Sequence, residues 1–367
     1  MLEILFIVLI VVSLSFAFGG KKSPQSNFNN ESGDIDLSHC VTKLTWKSNN
    51  DTLTLKQPSF DVSRIKSYDN LNQKKFEFRP QTFDQFIGQE EAKERAKTII
   101  KKVRTGMKAH LIVDGVQGGG KTSYIEILAR SIPAKLISRV GRQIDEEEVV
   151  NIINEINTTK EDFIMLFIDE IDTIDPKILK IFNPIVESFN ISGKGIRPFI
   201  FAGATINKHK LIKTNPDFLD RLPHSIKFDR YNSNEIKQII IQYKDQLYSE
   251  KKVNDDIQDI ISRNCKFNPR ISLGLLEDFI IEQDINKVMH NSKIVKDGLT
   301  IIDIDILRVL SEAKRPMGAN NLATKVKLSE QQYCTEFEPY LVSCDYINRV
   351  PSRIITDKGR QILEEIK

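Results

Sequence analysis

The sequence predicts an α/β fold, a parallel sheet built around a phosphate-binding loop, with a winged helix at its C-terminal end. Three observations lead there. Residues 115–122, Gly-Val-Gln-Gly-Gly-Gly-Lys-Thr, fit the pattern G-x-x-x-x-G-K-[ST]. About 45 residues further on, the apolar run Met165-Leu166-Phe167-Ile168 ends in Asp169-Glu170. From Leu299 onward, three helix-period segments lead into two short extended segments.

In chain order, the first feature is Leu2 to Phe18, which carries one charge, Glu3. It sits at the short end of what spans a bilayer. No Lys or Arg precedes it and Lys21-Lys22 follow it, so the positive-inside rule places the remainder in the cytoplasm. The expectation is a single-pass membrane anchor over 1–20. A cleaved signal peptide is the rival, although its positive charge normally comes first. Residues 21–75 are rich in Ser, Asn, Asp and Lys and read as a linker, with a weak β element at 41–46 and 53–55. The four cysteines form no C-x-x-C pair, so no zinc or disulfide framework is expected. With 53 basic and 50 acidic residues the net charge is +3, and any nucleic-acid contact must come from a local patch.

Glu90 to Val103 reads as a helix, and His110-Leu111-Ile112-Val113 as the strand before the loop. In the loop, Gly115, Gly118, Gly119 and Gly120 let backbone N–H groups approach phosphate oxygens. Lys121 reaches the β/γ-phosphates and the Thr122 hydroxyl holds Mg²⁺. A helix over 124–130 follows, so the phosphates meet a helix N-terminus. Asp169, at the end of the 165–168 strand, is expected on the same Mg²⁺. Glu170 is expected to orient and deprotonate the attacking water. Phe199 to Thr205 reads as another buried strand.

From residue 79 the order of these segments resembles the AAA+ ATPases, and within them the RuvB family, the motor subunits of Holliday-junction branch migration. Arg79-Pro80-Gln81-Thr82-Phe83-Asp84-Gln85-Phe86-Ile87-Gly88-Gln89 is similar to that family's RP-x-x-F-x-x-[FY]-I-G-Q box. The resemblance implies that Phe86 and Ile87 lie over the adenine. Gly203-Ala204-Thr205 matches the sensor-1 strand, but Ile206 stands at the usual sensor position, so γ-phosphate sensing passes to Thr205 or Asn207 or is weakened. Phe218-Leu219-Asp220-Arg221-Leu222 resembles L-R-D-R-F, which implies that Arg221 is an arginine finger inserted into a neighbour's site. Phe267-Asn268-Pro269-Arg270-Ile271 resembles [TN]-P-R-[IV] at the start of a lid helix, with Arg270 as sensor 2. Val116-Gln117 replace two prolines of the family's loop. The implied nucleotide site is Phe86, Ile87, Gly115, Gly118, Gly119, Gly120, Lys121, Thr122, Ser123 and Thr205. Thr122 and Asp169 hold the metal, and Lys121, Glu170, Arg221 and Arg270 are catalytic, with ATP and Mg²⁺ bound.

The C-terminal segments fit that family's winged helix, with Glu338-Pro339-Tyr340-Leu341 similar to its E-P-Y-L. Helices are expected at 299–310, 318–326 and 330–342, strands at 346–350 and 353–356, and a last short helix after Thr356. The wing carries Arg349, Arg353, Lys358 and Arg360 against Asp357, a phosphate-contacting patch in which Arg349 and Arg353 are the candidate DNA contacts. The third helix has Glu330, Glu336 and Glu338 and no Lys or Arg, so DNA contact is expected to be independent of base sequence.

The expected domains are an ATPase domain over 76–230, a helical lid over 231–298 and the winged helix over 299–367. The resemblance implies a homo-oligomer, a hexameric ring, acting on branched DNA in recombination or repair. Family members dock their partner RuvA on a long β-hairpin. Here only 189–197 fills that place, so a RuvA-like partner is not carried over. The trimmed hairpin, the acidic third helix and the anchor leave a second reading open, a membrane-tethered ATPase that remodels protein rather than DNA. A degenerate nucleotide-binding scaffold is a third, opposed by the intact Lys121, Asp169, Glu170 and Arg270.

Overall fold

A computed structural model describes residues 78–349 and 352–366. The apolar run at 2–18, the linker with its 41–46 and 53–55 segments, and Val350-Pro351 of the wing lie outside the described residues. Among the described residues no helix is long and apolar enough to cross a membrane.

Helix α1 (Glu90–Arg104) buries Ala92, Ala96, Ile99 and Val103, a stripe at helical spacing. Strand β1 (Leu111–Asp114) leads through the phosphate loop into α2 (Lys121–Ser131). Then come β2 (Lys135–Val140), α3 (Glu146–Thr158), β3 (Ile164–Asp169) and α4 (Pro176–Ser188). A small hairpin, β4 (Asn190–Ile191) and β5 (Lys194–Gly195), precedes β6 (Ile200–Thr205). Its strands are two residues each, closed by Ser192 (φ 49°) and Gly193 (φ 81°), so the expected trimming is visible. Helices α5 (Lys208–Thr214) and α6 (Pro216–Asp220) lead to β7 (His224–Lys227).

The five long strands form one sheet in the order β2-β3-β6-β1-β7, all neighbours parallel. Register sets Asp114 beside Thr205, and Ile168 beside Gly203, so Asp114, Thr205 and Asp169 end on one edge. That is the edge where a sheet of this type receives its ligand. Alternation along β3 divides the core into two layers. Met165 and Phe167 pack with Phe86, Ile99, Tyr124 and Leu128. Ile164, Leu166 and Ile168 pack with Phe182, Phe201 and Phe218.

Four helices make the lid, α7 (Ser233–Leu247), α8 (Asp255–Asn264), α9 (Pro269–Glu282) and α10 (Ile285–Asn291). Each begins at a side chain that accepts from its first-turn backbone, Asn232, Asn254, Asn268 and Asp284. Their apolar faces meet through Ile236, Ile240, Tyr243, Ile261 and Leu276.

The winged helix is entered by β8 (Ile294–Lys296) and β9 (Leu299–Thr300). Helices α11 (Ile301–Glu312) and α12 (Ala319–Lys325) follow. The expected 330–342 helix is interrupted, as α13 (Glu330–Gln332), a π turn (Tyr333–Phe337) and α14 (Glu338–Ser343). The cause is Pro339, which has no N–H to give the carbonyl four residues back and whose ring pushes that carbonyl away. Strands β10 (Ile347–Asn348) and β11 (Ile354–Ile355) form the wing, and α15 (Asp357–Glu365) starts at its cap Thr356. Leu307, Leu322, Tyr333, Leu341 and Ile347 are the buried centre.

Candidate nucleotide site

The phosphate loop is shaped by close approach. A Cβ at Gly115 would sit 2.6 Å from the Cβ of Phe228, and Gly120, at φ 91°, would place one 3.2 Å from the ring of Phe86. Neither position accepts a side chain, so the backbone is left facing the site. Gly118 also has positive φ, and Gly119 offers its carbonyl to the Tyr231 hydroxyl at 3.2 Å.

Lys121 opens α2 and is buried. Its Nζ donates to the carbonyls of Gly115 and Val116, both at 2.8 Å. Burial lowers its pKa and the nearby Arg270 adds to that, against the pull of Asp169, Asp114 and Asp172. A desolvated ammonium with a nearby guanidinium is stabilised by an arriving polyanion. Thr122 Oγ1 donates to Asp169 Oδ2 at 3.2 Å, which joins the two expected metal ligands across 47 residues of chain. The hydroxyl and carboxylate are hard oxygen donors of the kind Mg²⁺ takes alongside waters and phosphates. Ser123 follows on the same first turn, half-buried.

Glu170 sits directly after β3 at φ 50°, with its N–H donating to Asp169 Oδ1 at 2.9 Å. The Glu170 carbonyl accepts from Thr173 N at 2.8 Å and Oγ1 at 2.7 Å, which fixes the turn after β3.

The 79–89 segment closes over the loop. Gln89 Nε2 donates to the Asp229 carbonyl at 2.7 Å, and Asp229 N donates back to Gln89 Oε1 at 3.1 Å. Phe86 is buried edge-on to Tyr124 and Phe228, with Ile87 half-buried after it. The lid also reaches the loop. Asn268 Nδ2 donates to the Gln117 carbonyl at 2.8 Å, and a Cβ at Gly118 would lie 3.1 Å from that of Arg270. Arg270 is exposed in the first turn of α9, where its backbone N donates to Asn268 Oδ1 at 2.9 Å.

Thr205 is placed differently. It is buried, and its Oγ1 donates to Asp172 Oδ1 at 2.5 Å and accepts from Asn207 N at 2.9 Å. Asn207 caps α5 through Lys210 N, and Ile206 is exposed. Both polar candidates for γ-phosphate sensing are therefore engaged in local bonds. Arg221 is apart from the loop. Its Nε and Nη2 lie 3.0 and 2.9 Å from Glu187 Oε2, and Nη1 donates to the Asp217 carbonyl.

In the winged helix, Arg353 grips Glu338, with Nε to Oε1 at 2.5 Å and Nη2 to Oε2 at 3.2 Å. Glu338 is buried and the Arg353 side chain is 15% exposed, so this arginine is committed to the fold. Arg349, 64% exposed and 3.8 Å from Glu338, stays at the surface.

Sequence reasoning passed over Asp172, Tyr231 and Glu187, and took Gln117 and Asn268 only as parts of a pattern. Asn before Pro at a helix start is a cap signal that was available. The other four bind partners far off in the chain, for which the sequence holds no local signal.

Residues 78–209 match the family described as the Holliday junction DNA helicase RuvB P-loop domain, and residues 296–364 the RuvB C-terminal winged helix domain. The Holliday junction branch migration complex subunit RuvB of Mycoplasma genitalium is 27% identical over 305 residues, which cover 77% of this chain and 97% of that one. The subunit of the same name from Thermotoga maritima is 26% identical over 314 residues, 78% of this chain and 92% of its own. A solved structure of Thermotoga maritima RuvB, a Holliday junction branch migration motor, superposes with a TM-score of 0.68 over 78% of this chain and 98% of that one, at 24% identity.

These findings correct the membrane localisation expected from residues 2–18. The relatives are named as subunits of a DNA branch migration complex, and they are matched over nearly their whole length. A short apolar run at the margin of a bilayer span does not outweigh that. The chain is a RuvB-like AAA+ ATPase, with the P-loop domain and the C-terminal winged-helix domain of the RuvB family.

Proposed function

We propose that this ATPase assembles into a homo-oligomeric ring, hexameric by analogy with its family, and drives branched DNA through it. The observation that carries the reading is the gathering of Lys121, the Thr122–Asp169 pair and the lid's Asn268 and Arg270 on one loop, in a chain that also carries a winged helix. Thr122 and Asp169 would hold Mg²⁺, whose positive charge would offset the negative charge that grows as the γ-phosphoryl leaves. Lys121 holds the phosphates, Glu170 takes the proton of the attacking water, and Arg270 adds positive charge from the lid. Phe86 and Ile87 border the base. Arg221 acts on the site of a neighbouring subunit once assembly releases it from Glu187. Sensing by Thr205 runs through Asp172 rather than directly.

DNA contact falls to the exposed Arg349 with Lys358 and Arg360, reading phosphates without base preference. The small 190–195 hairpin offers a RuvA-like partner little to hold, so the ring loads on DNA without one or through another surface. The protein-remodelling reading loses one of its three supports with the anchor, and relatives named as subunits of a DNA branch migration complex favour DNA. A four-way junction assay tests the proposal: the full chain with ATP and Mg²⁺ should convert a synthetic junction into duplex products. Glu170→Gln should bind ATP yet turn over roughly 10²–10⁴-fold more slowly and leave the junction intact. Turnover without any junction conversion would point away from DNA.

A further inference from the structure

We propose that Lys266 is a positioning residue that ties the nucleotide-facing end of α9 to the winged helix, so that nucleotide occupancy and the setting of the winged helix are coupled. The inference rests on the ATP site and not on DNA as the substrate. Between α8 and α9 the chain makes a turn in which Lys266 (φ 53°) and Phe267 (φ 54°) are both left-handed. Two consecutive L-residues avoid that region unless their surroundings impose it.

The winged helix imposes it. Lys266 Nζ lies 2.6 Å from Oδ2 of Asp303, which is fully buried. The same ammonium stands 5.3 Å from the ring centres of Phe337 and of Tyr340, a cation–π pair. Phe267 packs its ring on Tyr340 at 6.2 Å. Asp303 itself is rigid. Its Oδ2 also accepts from Thr300 N at 2.8 Å and Oγ1 at 2.6 Å, the capping box of α11. Gly298 crosses behind the turn, where a Cβ would meet Lys266 N at 3.1 Å.

The other end of the turn is in the nucleotide site. Asn268 donates to the Gln117 carbonyl and Arg270 abuts Gly118. Residues 266–270 therefore have one end clamped in the winged helix and the other on the phosphate loop. A phosphate that draws Arg270 inward pulls on a turn that cannot relax locally. The strain passes to Asp303, Phe337 and Tyr340. The reverse holds as well, since coupling between two sites is reciprocal.

Hydrogen–deuterium exchange on the full chain, with and without ATPγS and Mg²⁺, tests this. In the wild type, nucleotide should slow exchange at 115–122 and change it at 300–310 and 333–341 by about fivefold or more, the lower end of usual inter-site coupling. Lys266→Met should keep the slowing at 115–122 and lose the winged-helix response, and Lys266→Arg should restore part of it. Lys266→Met leaves Asp303 buried without its cation, so Lys266→Met with Asp303→Asn serves if the single variant does not fold. A winged-helix response equal to wild type in either Met variant, or none in the wild type, overturns the coupling. No slowing at 115–122 in the wild type overturns the nucleotide site and the coupling together, and is read separately from the other outcomes.

Discussion

Lys121 and Thr122 are both engaged by the protein itself, Lys121 by two loop carbonyls and Thr122 by Asp169. Those bonds order both side chains before any ligand arrives, which would limit the ordering cost of binding at the proposed site. The two wing arginines show how differently one residue type can be used. Arg353→Ala strands Glu338 in the interior and should destabilise the winged helix by about 3–5 kcal/mol. Arg349→Ala should leave the melting temperature in place, weaken DNA binding and flatten its salt dependence by about one counterion. Melting curves and salt titrations of the two variants check this. An Arg353 variant that melts like wild type contradicts the geometry. The loop residues were legible because phosphate chemistry admits few residue types at that spacing. The sequence counts Arg353 among the wing's cations because it does not show that Glu338, fifteen residues earlier, turns inward and pairs with it.

At the level of elements, the buried strands β1, β3 and β6 announce themselves as apolar runs, since both faces are covered. The edge strands β2 and β7 do not: Lys135, Arg139 and Lys227 dilute their pattern because one side meets solvent. Helix α4 hides behind Pro184 in its interior. His110, just before β1, ties three elements together. Its Nδ1 accepts from Phe201 N at 2.9 Å and its Nε2–H faces the Val186 carbonyl at 3.1 Å, a pattern only the neutral ring satisfies.

Burial pushes the His110 pKa down to about 4. The sign follows from linkage: below about pH 6.5 the unfolded chain takes up a proton that the folded chain refuses until about pH 4, so stability falls across that window. The loss attributable to His110 is roughly 2–3 kcal/mol by pH 4. Urea unfolding of the wild type against His110→Gln should show a steeper fall for the wild type between pH 6.5 and 4.5. Parallel curves would show that the imidazole is not held neutral.

For the whole molecule, the order of segments carried most of the architecture, because a phosphate loop, an acidic strand end, a lid Arg and a winged helix in that succession leave few alternatives. Assembly is the part that a single chain shows least. Arg221 is held by Glu187, a surface pair of small net worth that a better partner can displace. If the finger works between subunits, Arg221→Ala should lower turnover roughly 10³-fold or more, and mixing it with Lys121→Ala should restore part of it. Each mixed ring then contains sites with an intact loop and an intact finger. No recovery on mixing would confine Arg221 to its own subunit.

The central claim, an ATPase whose work is done on DNA, is tested most directly by ATP turnover of the full chain with a four-way DNA junction, a linear duplex and no DNA. The account predicts faster turnover with DNA, greatest with the junction, the same for junctions of unrelated base sequence and lost as salt rises. Turnover that no DNA changes would contradict it.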